Sequence, residues 1–109
     1  MFDALEVSLS VMDLLAGIEA KLRMRRKSLA DQVGRAAESI SLNLSEGRKR
    51  VGLDRLDIFR RAEGSAGEVT TALRIARSRG YISRDEYAAV DAQLDRVRAM
   101  LYRLTHPKE

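Results

Sequence analysis

Apolar residues recur at steps of three and four along nearly the whole chain, and no proline interrupts them before Pro107. A proline ring removes a backbone donor and clashes with the preceding turn, so its absence leaves every upstream segment free to be helical. The clearest case is Tyr87, Val90, Leu94, Val97, Leu101 and Leu104, which alternate the two steps without a miss. That pattern is the narrow seam of a coiled-coil-like helix over about 84–104. Ser83 and Glu86 stand before it in the S-x-x-E spacing of a capping box.

Three more segments carry the same period. Over about 4–24 the apolar residues form two stripes. Val7, Val11, Leu14, Ile18 and Leu22 make one, with Leu15 at its edge, and Leu5, Leu9, Met12 and Ala16 make the other. Together they exceed the roughly 100° arc of an ordinary surface helix. Such a helix is expected to bury two faces, one inside the fold and one against another copy. Val7, Val11, Leu14 and Ile18 are the candidate oligomer contact. Over about 29–46, Leu29, Val33, Ala36, Ile40 and Leu44 repeat at helical spacing. Ser28 is placed to cap that helix, Asp31 suits its first turn, and Gly47 is expected to end it in a left-handed conformation. Over about 53–79, Leu56, Phe59, Ala62, Ala66, Val69, Leu73 and Ala76 form the stripe, and Gly80 is the expected stop. Gly64, Ser65 and Gly67 lie in its middle. Glycine inside a helix costs about 1 kcal/mol relative to alanine, so two of them predict close approach by a neighbouring helix.

Helices of about 20 residues with short connections pack against sequence neighbours, which predicts an all-α, antiparallel up-down-up-down four-helix bundle. The 109 residues suit a single domain. Aromatics are only 5% of the chain, which argues against a sheet protein. With no cysteine, disulfides, thiolate nucleophiles and Cys-type zinc sites are excluded, and a cytoplasmic location fits. No apolar run approaches the length of a membrane span, and the acidic start MFDALEVSLS lacks the basic region of a signal peptide.

Catalytic constellations fail in turn. His106 is the sole histidine and falls in the tail. EGSAG (63–67) has neither the lysine nor the preceding strand of a phosphate-binding loop, so small-residue helix packing is the better reading. Glu38, Glu46, Glu63 and Glu68 lack the histidines that accompany carboxylates in metal-binding bundles. The expectation is no enzyme, no metal and no cofactor. Asn43 and Glu46 stand out as polar residues near an apolar face. Because an anion is disfavoured at a helix C-terminus, Glu46 is expected to have a partner, in a buried clasp that fixes the turn after it.

The charge is informative. The net charge is +4, and sixteen of twenty cations are arginine. Lys21, Arg23, Arg25, Arg26 and Lys27 fall between segments one and two, and Arg77, Arg79 and Arg84 between three and four. Up-down topology brings both groups to one end, with Asp31, Asp85 and Glu86 as partial neutralisation. Such a rim would bind phosphates with strong salt dependence. No aromatic is interleaved, so base stacking is not suggested. Arg48, Lys49 and Arg50 mark the other end more weakly.

QVGRAAESISLNLSEGRKR (32–50) and FRRAEGSAGEVTTALRIARSRGYI (59–82) resemble a bacterial family first recognised as reading frames inside intervening sequences of 23S ribosomal RNA genes. Ser39-Ile40, Asn43, Glu46-Gly47, Gly64-Ser65 and Gly80-Tyr81-Ile82 match its pattern in order, with Leu44 where the family has isoleucine. The resemblance implies a left-handed four-helix bundle and a homo-oligomer, a pentameric ring. A similar bundle serves as the accessory protein of diversity-generating retroelements, which binds nucleic acid and a reverse transcriptase. Two functions are therefore expected: contact with RNA or DNA through Arg23, Arg25, Arg26, Lys27, Arg77, Arg79 and Arg84, or a scaffold that engages another protein without nucleic acid.

Overall fold

In a computed structural model, which describes residues 3–108, the chain forms four helices: α1 (Asp3–Arg25), α2 (Lys27–Gly47), α3 (Gly52–Ser78) and α4 (Arg84–Thr105). No strand occurs among the described residues. The molecule measures 44 × 22 × 21 Å, close to the length of α3 at about 1.5 Å per residue, so the helices lie side by side along one axis.

Cross-helix contacts fix the directions. Ser8 meets Ser41 and Arg23 meets Asp31, so α1 and α2 are antiparallel. Gln32 meets Glu68 and Ser39 meets Ser65, so α2 and α3 are too. Thr70 with Arg98 and Glu63 with Thr105 orient α3 against α4. Lys21 with Glu86 closes the ring from α1 to α4. Each helix thus packs on two neighbours, in up-down-up-down order.

The seam foreseen in α4 is the observed one: Val90, Leu94, Val97 and Leu101 are buried, with Tyr87 and Leu104 half-buried at its ends. Each fully buried Val or Leu removes apolar area worth about 1.5–3 kcal/mol. The α2–α3 contact is different in kind. Ala30, Ala36 and Ala37 of α2 and Ala62, Ala66, Ala72 and Ala76 of α3 are all buried. Short side chains bring these two axes close. Serines complete the approach on both flanks of α2: Ser41 Oγ lies 2.9 Å from Ser8 Oγ, and Ser65 Oγ donates to Ser39 Oγ at 2.8 Å.

Several expectations are corrected. Val7, Val11 and Ile18 are buried among α1's own core residues, with Leu15 and Leu22 completely enclosed. Only Leu14 of the candidate oligomer face stays exposed, so that face is not available for a second copy. Of the other stripe, Leu9 is 42% exposed and Ala16 is exposed, while Leu5 and Met12 pack against the core. Ser28 is not a cap: α1 and α2 are joined by Arg26 alone, in extended conformation, and no side chain caps α2. Gly47 ends α2 but is not left-handed. Glycine is required there for space, because a Cβ would lie 2.5 Å from Phe59 Cε1. Gly64 and Gly67 meet no neighbouring helix, and a Cβ on either would find open space. Gly80 does take a left-handed φ of +74°. Tyr81 N–H donates to Ala76 O and Gly80 N–H to Arg77 O, the paired bonds of a Schellman stop. Ser83 and Glu86 form the expected capping box.

The two kinds of glycine give opposite predictions. Gly47→Ala pushes into the Phe59 ring and should destabilise the fold by about 1–3 kcal/mol. Gly64→Ala enters open space and should stabilise by about 0.5–1 kcal/mol. Urea denaturation of the two variants measures both.

Candidate nucleic-acid interface

The α1–α2 junction and the α3–α4 turn lie at the same end, as antiparallel packing requires. Arg26, Ser28 and Leu29 from the first line a pocket of about 210 Å³ with Ile75, Arg79 and Tyr81 from the second. The eight cations gathered here divide by partner. Lys21 is held by Glu86, whose Oε1 also accepts Ser83 N–H at 2.7 Å. That backbone bond, with Lys21 second, keeps the Glu86 carboxyl below its ordinary range. Arg23 bonds Asp31 at 2.7 Å and depresses its pKa, with Lys27 and Arg35 adding through-space attraction. Lys21 and Arg23 therefore tie helices together.

Arg25 lies over the Tyr81 ring at 5.8 Å, and Arg77 over Tyr87 at 5.5 Å. Ring faces position these guanidiniums without neutralising them. Arg26, Lys27, Arg79 and Arg84 form no side-chain hydrogen bond or salt bridge among the described residues, and all four are exposed. Asp85, expected to offset the rim, has no ion-pair partner among the described residues either. Tyr81 and Tyr87 are the residues that the reading by linear order missed. Gly80-Tyr81 at a turn was the available signal, because a side chain next to a helix stop sits at the bundle end.

The other motif residues are structural. Asn43 Nδ2 donates to Ser39 O and Ser39 Oγ, and so continues the Ser39–Ser65 link between α2 and α3. Glu46 has its expected partner, but at the surface: Arg50 donates to Glu46 Oε1 and to Asp54 Oδ2 at 2.7 Å each. Asn43 takes no part, so the predicted buried clasp is an exposed arginine bridge between the end of α2 and the start of α3. Arg55 donates to Gly47 O, which also accepts Arg50 N–H, and to Arg48 O, tying down the turn after α2. Gly64 stands on the rim of an open groove of about 670 Å³ with Gly67, Leu29 and Ile75. His106 stacks on Tyr102 at 3.9 Å and bonds its carbonyl, closing the last turn of α4. Among the described residues no group of three or more His, Cys, Asp or Glu could hold a metal ion, and no helix is long and apolar enough to cross a membrane.

The family model for the 23S rRNA-intervening sequence protein matches residues 3–103. The chain belongs to that family. Its fold is similar to the crystal structure of a protein of unknown function from the S23 ribosomal protein family of Bacteroides thetaiotaomicron. The TM-score is 0.86 at 19% identity, covering 94% of this chain and 97% of the other. No curated protein matches the sequence.

One carboxylate departs from the rest. Burial, and then Glu38 beside it, raise the Glu19 pKa, and Arg23 partly offsets this. The folded state thus holds this proton more tightly than the unfolded chain does, and stability falls as pH rises from the unfolded value through the folded one. Glu19→Gln removes that loss. The variant should be more stable than the parent at about pH 7 and equal to it at about pH 3, where both side chains are neutral, as read from urea midpoints.

Proposed function

We propose that this chain is a non-enzymatic, homo-oligomeric bundle of the cytoplasm whose basic rim contacts the phosphates of RNA or DNA. One observation carries the reading: Arg26, Lys27, Arg79 and Arg84, distant in sequence, converge at one end without ion-pair partners. Bare cations on neighbouring turns attract a polyanion more strongly than cations already paired with carboxylates. Arg25 and Arg77, fixed over tyrosines, widen the same positive surface. The family's association with 23S rRNA makes RNA the first ligand to try. Oligomerisation is supported by apolar surface that the fold leaves outside, including Leu9 and Leu42, the latter 70% exposed.

Anisotropy of a fluorescein-labelled RNA hairpin tests the rim. Affinity should fall steeply between about 50 and about 200 mM salt. Replacing Arg26, Arg79 and Arg84 together by Ser should weaken binding and reduce the salt slope by about 2–3. Unchanged affinity in that variant would refute the rim as the contact. Light scattering should give a multiple of 12.2 kDa. A monomer at all concentrations would refute oligomerisation.

A second reading, a protein-interaction scaffold without nucleic acid, is favoured by the exposed Val51 and Leu53 at the end away from the rim. It predicts no RNA retention near physiological salt.

A further inference from the structure

α3 is longer than its neighbour α4, with 27 residues against 22. Thr105, the last residue of α4, bonds Glu63 at 3.2 Å. The part of α3 from Gly52 to Ala62 therefore runs on past the end of α4, about three turns. α2 covers one side of this overhang through the Gly47–Phe59 contact. On the side where α4 has ended, an open groove of about 490 Å³ is lined by Leu53, Leu56, Phe59, Leu104 and Pro107. Leu53 is 83% exposed there. The charges lining the groove are two arginines, Arg55 and Arg103, and no carboxylate. Arg55 is held rigid by Gly47 O and Arg48 O, and Arg103 has no ion-pair partner among the described residues. The nearby Asp54 and Asp57 are taken by Arg50 and Arg61.

This chain also carries a surface of the opposite character. Before Lys21, α1 holds Asp3, Glu6, Asp13 and Glu19 and no cation. The adjoining stretch of α2, 36–47, holds Glu38 and Glu46, the latter paired with Arg50, and no cation of its own. Leu9 and Leu42 are exposed on this pair of helices, and the Ser8–Ser41 and Met12–Ser41 contacts place them at one level. In a chain of net charge +4 this is an acidic, apolar helical face.

We propose that the acidic Leu9–Leu42 face of one copy docks into the Leu53 groove of the next. The groove offers an apolar floor between two guanidiniums. The α1 face offers apolar ridges beside Glu6 and Asp13. A helix laid in the groove occupies the place where α4 stops short. A nucleic-acid strand does not suit this floor, since its phosphates would lose water against leucine without hydrogen bonds in return. A basic segment would meet like charge. Because the two surfaces differ, the contact is heterologous, and repetition of one rotation closes a ring or extends a filament. The inference rests on the homo-oligomer reading above and names the surfaces that build it.

Two exposed substitutions test it without touching the core: Leu9→Arg on the ridge and Leu53→Ser in the groove, with Arg103→Glu as a second groove variant. Melting followed by circular dichroism confirms that each remains folded. Light scattering of each variant alone should fall from a multiple of 12.2 kDa to that of one chain. Mixing the Leu9 and Leu53 variants should then restore a 1:1 dimer and nothing larger, because one intact ridge and one intact groove remain. A mixture that stays monomeric overturns the heterologous pairing. An oligomer unaffected by all three variants overturns the docking surfaces while leaving oligomerisation standing. A wild type that is monomeric throughout overturns both. The rim is tested separately, by the Arg26, Arg79 and Arg84 replacements in the assembled protein.

Discussion

The fold depends on how closely α2 and α3 approach. Alanine and serine along both helices leave little side-chain bulk between the two backbones, and at the far end even a Cβ is absent, at Gly47. The Phe59 ring fills that notch. Alanine seams bury little apolar area per residue, so this contact gains from close backbone packing and from the part-buried Ser39–Ser65 bond as well as from side chains. The larger leucines and valines of α1 and α4 then close the other side of the core. α2 thus meets the core with Val33, Ile40 and Leu44 alongside its buried alanines, while α4 carries an ordinary leucine seam.

The same approach dictates what remains outside. Where two helices meet on alanine, their outer flanks are also close, and Gly64 and Gly67 leave a shallow trough over them. Where α4 ends early, α3 stands uncovered. Leu53 and Val51 are exposed because the bundle has no fourth helix at that level, and the register set by Thr105 and Glu63 decides where the shortfall begins.

Much of this was legible in the residues. The α4 seam, its capping box and the Gly80 stop follow from local rules that tertiary contacts do not override. The convergence of two distant basic clusters followed from topology alone. Other features were not legible, for identifiable reasons. A glycine at a helix end reads the same whether it supplies a left-handed φ or room for a ring, and only Phe59 across the interface shows that Gly47 does the second. α1 has two apolar stripes of comparable strength. Choosing the buried one needs the position of α2 and α4, and the stripe with Val7, Val11 and Ile18 is the one they cover. The mid-helix glycines of α3 signal unusual packing but not its direction; in the structure they border the open groove beside α2 rather than a close helix contact. In the rim, sequence gives charge but not pairing. Lys21 and Arg23 count equally with Arg79 until Glu86 and Asp31 are seen to hold them.

The distribution of charge along the bundle links assembly to the rim. The chain carries 20 cations and 16 acids, and four of those acids lie on α1 before its first cation. A contact that covers this acidic half against Arg55 and Arg103 would remove carboxylates and few cations from the solvent-facing surface. The assembly would then present more positive charge per chain than the free subunit does, with the unpaired rim arginines still outside, at the opposite end of each bundle. Several rims held at fixed spacing on one particle would also meet a long polyanion together. The second and later contacts form at high effective concentration, so a weak rim on each subunit suffices. Assembly through the acidic helix and recognition through the basic rim would thus be two uses of one asymmetry, the acidic first helix in an otherwise basic chain.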